Sequence, residues 1–305
     1  MIRKPAEMVN TENRFRVLIA GYPGIGKTTL GLSAPKPLLI DVDFGINRTM
    51  ASVRKDYIQP ESYDELLNDL KGDLSDYETI VIDTGGKLLD LMKAYVIKND
   101  IKNAKKDGTL SLQGYGAVGR EFSRFMNYIY FDLKKHCVII FHAVEEKQDE
   151  DTKLRILVEG STKNTVWQNV ELGGFIEMRG NKKIIGFDNC ERYFAKSSFG
   201  IKGNYTIPEL DGTQPNDFLT KLFEQANKNI QEESKVFEEE RKQYQEVIST
   251  LNSLIENMTL ANVNEVIDAI KTAPHILTSE KEAKAHFSEC DIIFLCAPVL
   301  QNIQF

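Results

Sequence analysis

Residues Gly21-Tyr22-Pro23-Gly24-Ile25-Gly26-Lys27-Thr28 satisfy the spacing G-x-x-x-x-G-K-[ST] in full. Glycines at these positions let the backbone bend so that successive N–H groups turn inward on phosphate. The helix that follows adds a partial positive charge at its N-terminus. Lys27 is then expected to reach the β- and γ-phosphates of a nucleoside triphosphate, and Thr28 to ligate Mg²⁺. Thr29 is expected at the α-phosphate, which makes Gly21 to Thr29 the nucleotide-binding set.

Asp83 closes the apolar run Thr79 to Asp83, TIVID. A carboxylate there, downstream of such a loop, is expected to hold Mg²⁺ directly or through water; the alternative is a helix cap. The next residue is Thr84 rather than Glu, so a group that activates water must come from elsewhere. Asp41-Val42-Asp43 ends another apolar run, and alternation puts both acids on one face at the sheet edge of the loop. Asp43, further out, is the candidate base with Asp41 in support; the other reading is a pair of caps. His142 ends a further run, where it either senses the γ-phosphate or packs in the core. These residue types suit attack of water on a Mg²⁺-bound triphosphate, with Lys27, Asp43 and Asp83 as the catalytic set.

The elements that must position them follow from hydrophobic pattern. Arg14–Ala20, Pro37–Val42, Thr79–Asp83 and Cys137–His142 are short apolar runs, as buried parallel strands are. Helical spacing lies between them at Lys27–Ser33, Glu61–Lys71, Lys87–Lys98 and Ala117–Lys134. Leu154–Val158, Gly174–Met178, Lys183–Phe187 and Arg192–Ala195 read as later short strands, with Arg179-Gly180-Asn181-Lys182 as a hairpin turn. The expected class is therefore α/β: a mainly parallel sheet with helices on both faces and antiparallel strands at one end. Prolines and Gly212 within 207–215 place a boundary there. This gives an N-terminal extension over 1–13, a core over 14–212 and a helical region over 216–305. In the last, Phe223, Ala226, Ile230, Phe237, Tyr244, Val247, Leu251, Leu254 and Met258 follow 3,4 spacing. They suit either packing helices or a coiled-coil arm to a partner. Two shorter helices are expected at Leu260–Lys271 and Ser279–Ser288, the latter with Ser279 and Glu282 as a capping box.

Net charge is −7, and 8 Lys+Arg against 15 Asp+Glu lie from Asn216 onward, so the core is balanced. The acidic total argues against a protein that coats DNA, although a local basic patch remains compatible with it. Cys137, Cys190, Cys290 and Cys296 match no metal or redox spacing and read as buried thiols. No apolar run approaches membrane length and Met1–Arg14 has no signal-peptide core, so the cytoplasm is the expected compartment.

Asn181-Lys182-Lys183-Ile184 and Asn227-Lys228-Asn229-Ile230 both fail N-K-x-D at its fourth position, which disfavours guanine. Tyr22 stands where partition-type ATPases carry an extra lysine. No arginine-rich lid follows the fourth strand, against a small-molecule kinase. The chain instead resembles RecA-like ATPases, and more closely the phage-encoded AAA-type ATP-binding proteins related to the ATP-dependent Sak single-strand annealing proteins. GYPGIGKTTL, LLIDVDFG, TIVIDTGGKLLDL, LQGYGAVGREF, VIIFHAVEEK and YFAKSSFGI carry the resemblance, over roughly residues 14–210. It implies ATP and Mg²⁺ as cofactors and ATP-dependent binding of single-stranded DNA in recombination or replication. It also implies a homo-oligomer in which a neighbour's basic residue completes the site. Lys196 and Lys202 are the positions for that residue, or else ordinary surface lysines. Gly108–Gly116 and Val144–Asn164 would be DNA-facing loops, with Tyr115 either stacking on a base or packing. Lys147, Lys153 and Arg155 meet a nucleic-acid backbone or are solvated. The alternative function is a nucleotide-dependent switch or scaffold that acts on protein partners, such as replication or recombination proteins, through the C-terminal helices.

Overall fold

The structure, a computed structural model, describes residues 13–148, 151–210, 214–259 and 261–273. The expected N-terminal extension (but for residue 13), the Ser279–Ser288 helix, Cys290 and Cys296 lie outside these residues. Chain contacts divide the described residues into two compact units, 13–229 and 230–273.

The first unit is built on a nine-stranded sheet. β1 (Arg16–Gly21), β2 (Pro37–Asp41), β3 (Tyr57–Ile58), β4 (Thr79–Asp83) and β5 (His136–Gln148) run parallel, as does β7 (Leu172–Arg179). β6 (Asp151–Ile156), β8 (Lys182–Gly186) and β9 (Asn204–Thr206) are antiparallel to their partners. The order is β3-β2-β4-β5-β1-β7-β8-β9, with β6 on β5. The antiparallel strands at one end follow the sequence expectation, and Gly180, at φ 58°, closes the β7–β8 hairpin as expected.

Alternation sorts the strand residues between two covered faces. Gly31, ending α1 (Lys27–Gly31), lies against Val81 and Ile140. Ile80, Ile82, Ile139 and Phe141 point the other way, into a core with α2 (Tyr63–Asp69), α3 (Gly85–Asn99) and α4 (Leu112–Asn127). Both faces being apolar explains why β1 and β4 read as unbroken hydrophobic runs.

Four expectations need correction. Val144–Asn164 is not a loop: β5 continues past the sheet edge to Gln148 and pairs with β6, and α5 (Thr162–Gln168) follows. The mixed charges that suggested solvated loop are complementary across the hairpin, with Glu146 opposite Lys153 and also near Arg155 and Lys163. Gly108–Gly116 is loop only in its first part, because Ser111 accepts from Gly114 N–H and caps α4. Arg192–Ala195 forms no strand; Tyr193 and Lys196 make isolated bridges to Leu154 and Gly173. Cys137 is buried as expected, but Cys190 is exposed.

The expected boundary at 207–215 falls before α6 (Phe218–Glu256), whereas the two units divide inside that helix. Leu219, Leu222, Phe223 and Ala226 are buried in the first unit, and Ser33 accepts from Leu219 N–H. In the second unit, Leu251 and Met258 of the α6 end and its exit form a small core with Val266 and Ile270 of α7 (Val263–Thr272). Val236 and Phe237 remain exposed.

Candidate nucleotide site

The strand registers align the expected residues along one sheet edge. Gly21 stands beside His142, Asp83 beside Ile140, and Asp41 beside Asp83. β5, last of the four central strands in sequence, lies between β1 and β4. His142 is thereby set between the glycine-rich loop and Asp83.

The loop itself has the geometry of an anion cradle. Gly24 and Gly26 take φ of 77° and 100°, a region that strains any residue with a Cβ. Among the described residues, no protein acceptor takes the backbone N–H of Gly24, Gly26, Lys27 or Thr28. Such a row of unspent donors at a helix start is a site for phosphate oxygens. Lys27 is 6% exposed, and its ammonium donates to the Tyr22 carbonyl at 2.8 Å. Burial lowers its pKa, while Asp83 and Asp43 pull the other way.

Thr28 Oγ1 donates to Asp83 Oδ2 at 2.5 Å. Burial raises the Asp83 pKa, against the Thr28 hydrogen bond and the charge of Lys27. Asp83 does not cap the next helix; Thr84 does, accepting from Lys87 N–H at 3.4 Å. The hydroxyl and carboxylate oxygens therefore meet beside the cradle, in the arrangement that a hard divalent cation with phosphate and water ligands requires. The residues present fit Mg²⁺ and a triphosphate.

Asp41 and Asp43 are not equivalent. β2 ends at Asp41, so alternation does not extend to Asp43, which lies in the turn beyond. Asp41, fully buried, accepts from Gly45 N–H, Ile46 N–H and Gln59 Nε2 at 2.7–2.9 Å. It anchors the turn. Asp43 is half-buried and pairs with Arg48 at 2.9 Å. A cavity of about 350 Å³ is lined by Asp43, Thr84, Lys87, Tyr115, His142 and Thr162, among others. His142 Nδ1 is buried there without a hydrogen-bond partner. Burial first, and Lys27 second, lower its pKa against the charge of Asp43, and this net lowering favours the neutral ring. It is half-buried at the edge, which differs from a residue packed in the core.

Lys196 and Lys202 do not converge on these groups. Lys196 is half-buried with its ammonium 3.4 Å from the Trp167 carbonyl, and Lys202 is exposed. Three participants escaped the sequence reading. Arg48 holds Asp43, Glu145 accepts from the Tyr22 hydroxyl, and Lys183 approaches Gly26. Glu145 and Lys183 come from strands whose place beside the loop depends on tertiary pairing, and Arg48, only five residues from Asp43, carries no motif that marks it.

No curated protein matches the chain. Among solved structures it is similar to one described as an ATPase domain, at 13% identity and a TM-score of 0.42, over 63% of this chain and 80% of that one. A protein-family profile described as an AAA domain matches residues 13–199, the whole of the sheet through β8 and the glycine-rich loop. The chain belongs to that AAA-domain family.

Proposed function

We propose that the protein binds ATP with Mg²⁺ at Gly21–Thr29, hydrolyses it, and uses the cycle to control binding of single-stranded DNA. The observation that carries the nucleotide part is the 2.5 Å contact of Thr28 with Asp83 beside four unspent loop N–H groups. Lys27 bears on the β- and γ-phosphates, and Thr28 and Asp83 hold the metal. Among the described residues no three His, Cys, Asp or Glu form a metal cage; the remaining ligands would be phosphate and water. Asp43 orients and deprotonates the attacking water, with Arg48 holding its carboxylate, and neutral His142 donates toward or accepts from the γ-phosphate side.

The DNA part rests on the resemblance to phage annealing ATPases together with the cavity beyond Asp43. Tyr115 offers an aromatic face there and Lys87 a cation, a pairing suited to a base and its phosphate. Subunits assemble as a homo-oligomer in which Lys196 or Lys202 reaches a neighbour's nucleotide. The deciding experiment is ATP hydrolysis with and without a single-stranded oligonucleotide at low salt, beside Lys27→Ala. Stimulation lost in that variant supports the reading; DNA-independent hydrolysis removes the DNA part.

A second reading has one observation in its favour. Exposed Val236 and Phe237 on α6 give an apolar point to an otherwise acidic helix, as a nucleotide-dependent scaffold for protein partners needs. Deleting residues 230–305 keeps the start of α6 that is buried in the first unit. Under this reading the shortened chain loses partner capture and still hydrolyses ATP.

A further inference from the structure

A second cavity, about 290 Å³, opens on the other flank of the phosphate loop, away from Asp83. β7 and β8 follow β1 on that flank, opposite β5 and β4. Ile25, Gly26 and Thr29 form one wall, and Ile207 and Pro208, just after β9, form another. Lys183 of β8 lines it as well, with Met50 and the acidic residues Glu209 and Asp217 among the rest.

Lys183 Nζ lies 3.6 Å from the position that a Cβ on Gly26 would take. Its ammonium therefore stands over the outer side of the loop, while Lys27 belongs to the inner side. Among the described residues no carboxylate or carbonyl pairs with it. Its backbone is fixed twice, by pairing with Met178 and by accepting from Ile207 N–H at 2.9 Å. The cation and the apolar wall at Ile207 are thus set by the same strand end. A half-buried ammonium beside unspent backbone donors is complementary to a polyanion. The apolar walls at Ile25, Ile207 and Pro208 are complementary to a flat ring, and the Glu209 and Asp217 carboxylates that share the cavity disfavour filling it with phosphate.

We propose that the nucleoside end of the bound nucleotide lies in this cavity against Ile207 and Pro208, and that Lys183 is a second phosphate-binding lysine. The proposal rests on the reading of Gly21–Thr29 as the nucleotide site. Lys183 adds a contact that the glycine-rich motif does not contain. The slot favours a nucleoside triphosphate over a bare polyphosphate.

The test is calorimetric titration of the full chain with Mg²⁺·ATP and with Mg²⁺·tripolyphosphate. Lys183→Ala should weaken both ligands about tenfold, the usual size of one charge-assisted hydrogen bond, and Lys183→Arg should restore most of the loss. Ile207→Trp, which fills the slot, should weaken ATP and spare tripolyphosphate. Wild-type affinity in Lys183→Ala overturns the lysine assignment, and equal behaviour of the two ligands in Ile207→Trp overturns the nucleoside assignment. Lys27→Ala separates these failures from that of the site itself: if it binds ATP like wild type, the phosphate loop reading falls as well.

Discussion

The hydroxyl of Tyr22 donates to Glu145 Oε1 at 2.6 Å, joining the phosphate loop to the hairpin that rises beyond the sheet edge. Burial raises the phenol pKa, and the Glu145 carboxylate adds to it. Glu145 also lies 3.9 Å from Arg192, which pairs with Glu177 at 3.0 Å. A ligand that moves the hairpin thus has a direct mechanical connection to the loop. Tyr22→Phe should leave ATP affinity within about threefold, the scale of a single partly exposed hydrogen bond, and under the proposed function should reduce stimulation of hydrolysis by single-stranded DNA. Glu145→Gln should do the same, and the double variant little more. Steady-state turnover with and without oligonucleotide checks this, and undiminished stimulation in Tyr22→Phe would remove the connection.

Asp43 and Asp83 should separate kinetically. Asp43→Asn should lower kcat by roughly a hundredfold or more, as loss of a general base does, with ATP affinity held. Asp83→Asn should raise the Mg²⁺ concentration needed for half-maximal activity. Arg48→Ala should resemble a mild Asp43 variant, since it frees a carboxylate that the ion pair now orients. Metal titrations of turnover and nucleotide titrations at equilibrium distinguish the three.

His136 predicts a pH dependence of stability. Its Nδ1 accepts from Phe15 N–H at 3.1 Å, and its ring stacks on Phe15 and Phe223. Burial pushes its pKa down to about 4. The unfolded chain, with an ordinary value near 6.5, takes up the proton first. Stability is therefore full above about pH 6.5 and falls as pH drops from there toward 4, by about 2 kcal/mol at pH 5 relative to pH 7. His136→Phe should be less stable at pH 7, because Phe15 N–H loses its acceptor, and should show a flatter profile. Urea unfolding midpoints at pH 7, 6 and 5 measure the difference; parallel profiles would contradict it.

Gly85 begins α3 directly behind Asp83 and Thr84. A Cβ there would meet three Phe141 ring carbons at 2.4–2.8 Å, and Phe141 is fully buried. Gly85→Ala should cost about 1–3 kcal/mol by overpacking and should also displace the strand end that carries Asp83. Gly116→Ala, in a more open part of α4 with an arginine tip at 3.4 Å, should instead stabilise by up to about 1 kcal/mol, the gain in helix propensity. Denaturation of the two variants side by side tests the contrast.

The phosphate loop, the strands that carry Asp41, Asp83 and His142, and the β7–β8 hairpin were legible because each is a local pattern. Glycines at set spacing, apolar runs covered on both faces and a hairpin turn need no knowledge of neighbours. The carboxylate roles were only half legible. Asp41 and Asp43 are two residues apart, but the strand stops between them, and only the fold makes one an anchor with three donors and the other an ion pair with Arg48. Of the β5–β6 hairpin only Leu154–Val158 read as strand; the rest read as loop because its charges look solvated until Glu146 and Lys153 are placed opposite each other. Arg48, five residues from Asp43, carries no motif that marks it, and Glu145 and Lys183 could not be read at all. A single cation or acid becomes part of a site through strand order and register, which bring residues some 120 to 160 positions apart to the loop, and that information resides in long-range pairing rather than in any local run of residues.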